Sequence, residues 1–429
     1  MSVTVGVPKE TAQREKRVAM VPVVAERLEK LGVELLVQAG AGEGSRIPDS
    51  AFENATVVNN AQDIYKKADI VLKVQPPSVD EIKQMRQGAI LASFVHAHRE
   101  PEVTAALRDG KITSFAMELV PRITRAQSID ALSSQASAAG YKAALIAANS
   151  LERFFPMLTT AAGTIRPAKV LVIGAGVAGL QAIATAKRLG AQVEAYDVRS
   201  ATREQVESLG AKFVQTDVKA EGEGGYAREL TDEEKQAQQD MLAKHIAKSD
   251  AVITTAAVPG RPSPKIVSKA MVEGMKSGAV LVDLAAEGGG NCELTKPGED
   301  VRHGEVTIVG PLNIPSMLSE HASEMYARNL LNLLTLFVEE GELKLNWEDE
   351  VIAKTALTHD GEIRNEAARE AVESGSGKAS TTSKGGSASA GSSAKEKSTS
   401  AKADNKDEQK AASGKDQDKS TDKSKGDGK

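Results

Sequence analysis

Residues 169–180 read KVLVIGAGVAGL and open the stretch around which the rest of the chain is organised. The apolar run over 169–173 is typical of a buried strand, the glycines follow with the spacing G-x-G-x-x-G, and an apolar-periodic segment up to Gly190 predicts a helix. A second apolar run over 192–196 is followed by Asp197. A strand, a glycine turn, a helix and a strand that ends at a carboxylate form the fingerprint of a dinucleotide-binding βαβ unit.

The three glycines have separate predicted tasks. Gly174 permits the sharp turn out of the strand, Gly176 lets backbone amides approach a pyrophosphate, and Gly179 lets the helix pack closely on the sheet. The helix N-terminus then faces the phosphates with unpaired N–H groups and the positive end of its dipole. The predicted phosphate-binding residues are Gly174, Ala175, Gly176, Val177, Ala178 and Gly179.

The carboxylate after the second strand predicts which dinucleotide binds. Asp197 lies where an acidic side chain accepts hydrogen bonds from the adenosine ribose hydroxyls and repels a 2′-phosphate. NAD(H) is therefore predicted in preference to NADP(H). Arg199, which follows Asp197 and Val198, weakens this preference because a nearby arginine can accommodate a phosphate.

The composition is that of an ordinary soluble globular protein. The 429 residues suffice for two domains with substantial cores, and a net charge of -5 gives no sign of a nucleic-acid partner. The single cysteine, Cys292, excludes an internal disulfide and fits a reducing compartment. No signal-peptide core and no apolar stretch of about 20 residues is found. We expect a cytoplasmic protein without a metal site that reaches a membrane only through a partner.

Short apolar runs alternate with helical patterns on both sides of the fingerprint, which predicts parallel sheets covered by helices. Before the fingerprint the predicted strands are 3–7, 33–37, 70–74, 89–95 and 112–117, and the predicted helices include 22–30 and 101–108. From the fingerprint onward, strands are predicted over 169–173, 192–196, 212–215, 251–255, 279–284 and 306–309. The predicted fold class is α/β, with two doubly wound parallel-sheet domains.

Two long helices are predicted to join these domains. A segment rich in Ala, Leu and Ser over 128–155 leads into the second domain, and a leucine-rich pattern over 322–338 returns the chain to the first. The first domain, with a flavodoxin-like sheet, is therefore predicted to be discontinuous, over 1–127 and 325–370. The dinucleotide-binding Rossmann domain is predicted over 128–324.

The C-terminal segment 371–429 differs sharply in composition from the rest. Ser, Lys, Ala, Gly and Asp dominate it, and it contains no aromatic residue, Leu, Ile or Met. Such a segment cannot bury enough apolar surface to offset its chain entropy. We expect a disordered, solvated tail, with a tether or an electrostatic contact as alternatives.

A polar insertion over 217–229 contains Gly224, Gly225 and Tyr226. Paired glycines beside a tyrosine are typical of a mobile loop that closes an aromatic side chain over a ligand. They are equally compatible with an exposed loop tip.

Three residues of the first domain are candidates for substrate chemistry. Arg17, Lys73 and His96 fall at the carboxyl ends of predicted strands or in the loops that follow, where α/β sheets bind ligands. Converging on one cleft, they would suit a small carboxylate substrate with His96 as the acid or base. Each is equally compatible with a solvated surface charge.

A polar loop, PRITRAQSIDALSSQ over 121–135, precedes the first long helix and should line the cleft at the nicotinamide end of a bound cofactor. A planar carboxamide needs paired donors and acceptors. The residues that supply them here are Arg122, Gln127, Asp130 and Ser133. The alternative is a plain helix N-terminus, in which Thr124 or Ser128 is the cap and Asp130 complements the dipole.

At this loop the sequence resembles the soluble NAD(H)-binding component, domain I, of proton-translocating nicotinamide nucleotide transhydrogenase. The resemblance covers about residues 1–365. It is carried by Arg122 with RAQSID over 125–130, by the glycine turn with its continuation LQAIATA over 180–186, by the Gly224-Gly225-Tyr226 loop and by DLAAEGGGN over 283–291.

The resemblance implies that NADH sits in the cleft and passes a hydride directly to NADP⁺ on a partner domain, driven by proton movement through a separate membrane component. Arg122, Asp130 and Ser133 would orient the nicotinamide, Gln127 would help to bring it against NADP⁺, and Tyr226 would belong to a closing loop. The catalytic set would thus be Gln127, Arg122 and Asp130, and the cofactor site would also contain Asp197, Val198, Arg199 and Ala256. The expected partners are NADP(H)-binding and membrane subunits, which hold a homodimer of this chain at the inner membrane.

Two other functions compete with this one. Arg17, Lys73 and His96 match residues that serve the amino or oxo acid in the related alanine dehydrogenases, and Glu287 stands near where those enzymes have an aspartate. The Arg-Gln-Asp loop, which they lack, speaks against an NAD-dependent amino-acid (alanine) dehydrogenase. The second alternative is a non-catalytic NAD-binding regulatory subunit.

Overall fold

Two sheets, each flanked by helices, form the framework of the molecule. The structure is a computed structural model that describes residues 2–214, 231–257 and 262–376. The 217–229 insertion with Tyr226, and the tail from residue 377 onward, lie outside the described residues.

Strands and helices alternate along the described chain. The strands are β1 (Thr4–Val7), β2 (Glu34–Gln38), β3 (Thr56–Val58), β4 (Ile70–Leu72), β5 (Ile90–Ser93), β6 (Thr113–Ala116), β7 (Leu158–Thr160), β8 (Gly163–Ile165), β9 (Lys169–Ile173), β10 (Gln192–Tyr196), β11 (Lys212–Phe213), β12 (Ala251–Thr254), β13 (Val280–Asp283), β14 (Asp300–His303), β15 (Val306–Val309), β16 (Val338–Glu339), β17 (Glu342–Leu343), β18 (Ala356–His359) and β19 (Glu362–Ile363). The helices are α1 (Pro22–Glu29), α2 (Ala61–Lys67), α3 (Val79–Gln84), α4 (Pro101–Asp109), α5 (Ala131–Ser150), α6 (Val177–Arg188), α7 (Arg203–Ser208), α8 (Asp232–Ile246), α9 (Lys269–Glu273), α10 (Ser319–Leu334), α11 (Glu350–Thr355) and α12 (Glu366–Ser376).

The first sheet has the order β3-β2-β1-β4-β5-β6-β18-β19. Strands β1 to β6 pair in parallel, whereas β18 is antiparallel to β6 and β19 is antiparallel to β18. The central strands β4, β5 and β6 are buried along their whole length, as expected for parallel strands covered on both faces. The late strands β18 and β19 therefore complete a sheet that begins at residue 4.

The second sheet has the order β11-β10-β9-β12-β13-β15-β14. Its parallel part follows the 3-2-1-4-5-6 arrangement of a dinucleotide-binding sheet, and β14 adds an antiparallel edge. The α/β fold class is confirmed. The antiparallel edge strands are an addition to the predicted parallel sheets. No apolar run marks β14 (DVRH) or β19 (EI), because both are short and contain charged residues.

Two helices join the parts of the molecule associated with the two sheets. Helix α5 begins after Asp130, which caps it, and α10 buries Tyr326 and the leucines at 330, 331, 333 and 334 against the core of the first sheet. The leucine-rich pattern over 322–338 therefore supplies core residues to the first sheet. In the described ranges, no helix combines the length and the apolar character needed to cross a membrane. The predicted domain boundaries at 127, 324 and 370 remain a proposal.

Candidate functional site

A cleft of about 1350 Å³ is lined by segments from both sheets. From the first sheet come the segments that follow β5 and β6, and from the second sheet come those that follow β9, β10, β12, β13 and β15. All of these are carboxyl ends of strands, where doubly wound folds bind their ligands. The loop before α5 also contributes to the lining.

The glycine turn has the geometry that its predicted tasks require. Gly174 has a φ of +98°, in the left-handed region, and its amide donates to the carbonyl of Tyr196 at 2.8 Å. A Cβ added to Gly176 would meet no atom within 4 Å, so the start of α6 is open on that side. A Cβ on Gly179 would lie 1.9 Å from the carbonyl oxygen of Gly174, so α6 approaches the turn closer than any side chain allows. Gly174, Gly176, Val177 and Ala178 line the cleft, with Ala175 buried behind them.

The side chains of Asp197 and Arg199 form an ion pair, although the sequence suggested a separate role for each. The guanidinium of Arg199 donates from Nε and Nη2 to the two carboxylate oxygens of Asp197, each at 2.9 Å, and the amide of Ala175 donates to Oδ2 at 2.7 Å. Burial alone would raise the pKa of Asp197, but these donors outweigh burial and hold the pKa below its ordinary value. Asp197, Val198 and Arg199 all line the cleft. A ribose hydroxyl would therefore share this carboxylate with Arg199 or displace the Arg199 side chain from it.

The polar loop before α5 also reaches the cleft. Arg122, Gln127, Asp130 and Ser133 all line it, and Arg122 and Gln127 are exposed. Asp130 has a second task, because its carboxylate accepts the Ser133 amide at 2.9 Å and the Ser133 hydroxyl at 2.6 Å and so caps α5. The alternative that Thr124 or Ser128 caps this helix is wrong.

Two contacts hold this loop in place relative to the glycine turn. Arg125 makes two hydrogen bonds, of 2.8 and 2.6 Å, to the carboxylate of Asp349, which caps α11 beside the first sheet. Helix α5 packs directly on α6, where a Cβ on Gly140 would lie only 2.0 Å from the carbonyl oxygen of Ala178. The loop and the turn are thus fixed to one another through the backbones of two helices.

The segment after β13 shapes the cleft wall at Ala256. Asn291 donates from Nδ2 to the carbonyl of Ala256 at 2.7 Å and accepts the Ala256 amide through Oδ1 at 3.0 Å. Asp283, which is fully buried, accepts hydrogen bonds from two threonine hydroxyls and two backbone amides. The DLAAEGGGN motif therefore acts as a rigid support, and Ala256 lies on the cleft surface.

Of Arg17, Lys73 and His96, only His96 is part of the described cleft lining. His96 is exposed and lines the cleft, whereas Arg17 and Lys73 are 4% and 1% exposed and are absent from the described lining. Lys73 pairs with Glu81 at 2.9 Å and with Glu10 at 3.7 Å. The alternative that Arg17 and Lys73 are solvated surface charges is wrong, because both are buried in ion pairs.

Several residues that line the cleft were not predicted from the sequence. Glu118 follows β6, and its carboxylate holds the turn at His96 by accepting a hydrogen bond from the backbone amide of His96 at 2.6 Å. Its position at a strand end was a usable signal. Gln238 on α8 and Lys265 also line the cleft. No motif marks either of them.

Comparisons with known proteins agree with this architecture. Residues 6–139 match the family model described as alanine dehydrogenase/PNT, N-terminal domain, and residues 143–366 match that of the C-terminal domain. An NAD(P) transhydrogenase subunit alpha protein of Rhodospirillum rubrum is 48% identical over 373 residues, which cover 84% of this chain and 97% of the relative. The alanine dehydrogenase of Mycobacterium tuberculosis is 32% identical over 372 residues, 84% of this chain and 95% of the relative. The crystal structure of transhydrogenase from Sinorhizobium meliloti superposes with a TM-score of 0.75 at 45% identity, over 85% of this chain and 99% of that one.

Proposed function

The chain belongs to the alanine dehydrogenase/PNT family, and on that premise we propose that it is the NAD(H)-binding subunit of a proton-translocating NAD(P) transhydrogenase. In this role it holds NADH in the cleft for hydride transfer to NADP⁺ on a partner subunit, while a membrane subunit couples the transfer to proton movement. The observation that carries the proposal is the presence of Arg122, Gln127 and Asp130 in the same cleft as the glycine turn. The higher identity to transhydrogenase alpha subunits than to alanine dehydrogenases supports it.

The residues of the cleft fit a nicotinamide dinucleotide. The open side of Gly176 leaves the room that a pyrophosphate needs, and the first amides and positive dipole end of α6 would hold its charge. Asp197 would bind the adenosine ribose, and Ala256 would lie against the cofactor from the supported wall. The bound cofactor would supply the hydride, and the nicotinamide ring of NADP⁺ on the partner subunit would accept it.

At the nicotinamide end, Arg122, Asp130 and Ser133 would fix the carboxamide and hence the angle of the ring. Transfer between two like rings needs a short approach distance and the exclusion of water, and no side chain has to act as an acid or base. Gln127, exposed on the same loop, is placed to contact the second nucleotide or the subunit that carries it. These residues therefore act by positioning.

We propose that the isolated subunit is a homodimer. The β7–β8 hairpin pairs only with itself among the described residues. It carries exposed apolar side chains on and beside it, with Phe154 51%, Met157 64% and Ile165 43% exposed. Exposed apolar side chains grouped together are typical of protein–protein interaction sites. A second copy of the chain is the occupant that we assign to it.

The test is reconstitution from purified subunits. The isolated chain, which light scattering should show as a dimer, is expected to bind NADH and to be silent with an NADP⁺ analogue. Exchange should appear only after the NADP(H)-binding and membrane subunits are added. Gln127→Ala should lower that rate at least ~10-fold while changing the Kd for NADH less than about 2-fold, since a small misplacement of reacting groups is costly.

Gln62→Ala, an exposed glutamine on α2, is the matched control and should leave both quantities unchanged. Reduction of NAD⁺ by alanine with the isolated chain would instead establish the amino-acid dehydrogenase, the alternative that His96 in the cleft favours. A chain that binds NADH and stays inactive in every mixture would be a regulatory subunit.

Arg199→Ala is expected to sharpen the preference for NADH over NADPH by ~5-fold or more, because a partly exposed charge contact contributes about 1 kcal/mol. The substitution leaves the Asp197 charge without its partner and removes the cation that would meet a 2′-phosphate. The ratio of the two Kd values, from quenching of protein fluorescence or from calorimetry, checks this. Arg188→Ala, at the far end of α6, should leave the ratio unchanged, and an unchanged ratio in Arg199→Ala would show that Arg199 does not weaken the preference for NADH.

A further inference from the structure

A buried asparagine, Asn329, interrupts the leucine-rich inner face of α10 and is not used by the proposed function. It is 7% exposed and precedes Leu330, which is fully buried in the core of the first sheet. It does not belong to the described cleft lining. A buried polar side chain costs stability unless it is hydrogen-bonded, so the partners of Asn329 indicate what it does.

Both ends of the Asn329 carboxamide bind the polar loop before α5 or the first turn of that helix. Its Nδ2 donates to the carbonyl oxygen of Ser128 at 2.8 Å, and its Oδ1 accepts the hydroxyl of Ser134 at 2.7 Å. Asn332, one turn further along α10, donates to the same Ser128 carbonyl at 3.0 Å. A carbonyl oxygen has two lone pairs, and here each has a donor. Helix α10 therefore holds the loop at a backbone atom.

Ser128 directly follows Gln127, the exposed residue that the proposed mechanism places against the second nucleotide or its subunit. The amide of Gln127 donates to the carbonyl of Thr124 at 3.3 Å, and its carbonyl accepts the Asp130 amide at 3.3 Å. Both bonds are longer than the usual value of about 2.9–3.0 Å and hold the peptide weakly. The firmer ties lie on either side, where Arg125 binds α11 and Ser128 binds α10.

We propose that Asn329 is a positioning residue for hydride transfer, which sets the place of Gln127 by holding the backbone carbonyl that follows it. The inference rests on the proposed function and adds to it a residue outside the described cleft lining. A hydrogen bond contributes little net stability, whereas a misplacement of about 1 Å in the reacting groups costs up to ~100-fold in rate. Loss of Asn329 should therefore affect the rate far more than the stability.

The test is Asn329→Leu, which keeps the approximate size of the side chain and removes both of its hydrogen bonds. No buried polar group is stranded, because Ser128 is exposed and the Ser134 hydroxyl also donates to the Ala131 carbonyl at 3.2 Å. The Tm should change by less than about 2 °C and the Kd for NADH by less than about 3-fold, since the pyrophosphate and adenosine contacts stay in place. The reconstituted rate of hydride transfer should fall at least ~10-fold.

Leu334→Ala is the control for a purely structural effect of α10. Leu334 is fully buried in the core of the first sheet and is away from the described cleft lining. The variant should lose more Tm than N329L because it leaves a cavity. It should nevertheless keep the rate within about 2-fold of the unmodified chain, since the loop contacts remain. A rate loss in L334A as large as that in N329L would overturn the proposal.

A double variant shows whether Asn329 acts through Gln127. If it does, Asn329→Leu should lower the rate by less than about 2-fold further in a chain that already carries Gln127→Ala, because two changes to one positioning contact are not additive. A further loss as large as that caused by N329L alone would mean that Asn329 acts elsewhere, which contradicts the proposal.

Deuterium uptake by the isolated chain tests the hold on the loop without the reaction. The amides of residues 124–130 should take up deuterium at least ~5-fold faster in N329L, which corresponds to the loss of one hydrogen bond. If N329L does not fold, Asn332→Ala takes its place, since Asn332 is only partly buried and supplies the other donor to Ser128. Its rate should fall about 3-fold, and unchanged uptake in the variant that folds would contradict the proposal.

Failure of this inference and failure of the proposed function give different results. A normal rate of hydride transfer in N329L, measured beside an active unmodified chain, rejects the positioning role and leaves the transhydrogenase role intact. An unmodified chain that is inactive with all its partner subunits rejects the transhydrogenase role. Deuterium uptake then still decides whether Asn329 holds the loop.

Discussion

Replacing Gly176 with valine is expected to weaken NADH binding at least ~100-fold and to leave the fold intact. The valine side chain would block the pyrophosphate sterically and would prevent charge-assisted hydrogen bonds that contribute about 1.5–3 kcal/mol each. The backbone at Gly176 has φ −78° and ψ −169°, an extended conformation that valine adopts readily. The new side chain would meet no protein atom near its Cβ. It would instead occupy the space at the N-terminus of α6 that the pyrophosphate fills in the proposed NADH complex.

The measurement is NADH titration by fluorescence or calorimetry, paired with the Tm. Gly274→Val is the matched control, since Gly274 lies at the end of α9, has ordinary right-handed backbone angles and is away from the described cleft lining. It should bind NADH as the unmodified chain does. A Kd within about threefold of normal for G176V would reject the phosphate-binding role of this turn, because even one lost charge-assisted bond exceeds that change.

Gly140→Ala is expected to destabilise the protein by about 2 kcal/mol or more, the opposite of its effect on an isolated helix. Alanine gains about 1 kcal/mol over glycine in a helix interior. Here, however, its Cβ would lie 2.0 Å from the carbonyl oxygen of Ala178, so α5 and α6 must separate. Overpacking a well-packed contact costs about 1–3 kcal/mol and occasionally more, and a backbone atom cannot move aside as a side chain does.

Urea unfolding measures this change, and the NADH titration shows whether the loop before α5 has moved with its helix. Asn149→Ala, an exposed position on the same helix, is the control for helix propensity alone and should be neutral or slightly stabilising. A stabilised G140A would mean that the two helices are not held by this contact.

The sequence was most informative where strands are buried. The bounds of β9, β10 and β15 match the predicted runs, because each strand is rich in buried apolar residues and is followed at once by a glycine or an aspartate. Strands β18 and β19 are short, and the pairing of β18 with β6 depends on contacts across more than two hundred residues. Local patterns contain no information on such a pairing.

For the candidate site, the sequence located the residues but not their pairing. The polar loop and the glycine turn were both expected in one cleft, and both line it. The burial of Arg17 and Lys73 was not predicted, because a charged residue after a strand looks the same in the sequence whether water or a buried carboxylate neutralises it. Glu81, the partner of Lys73, lies on α3, and nothing in its local sequence indicates that contact.

The late return of the chain to the first sheet has a consequence for synthesis on the ribosome. Strand β6 is complete at residue 116, but β18, which covers its edge, emerges only after residue 359. For that whole interval the nascent polypeptide carries an uncovered row of amide and carbonyl groups, a surface on which other strands can dock. The second sheet, whose strands are all made by residue 309, is complete within this interval. Chaperones that shield nascent chains would thus be needed longest by the region of the protein that is translated first.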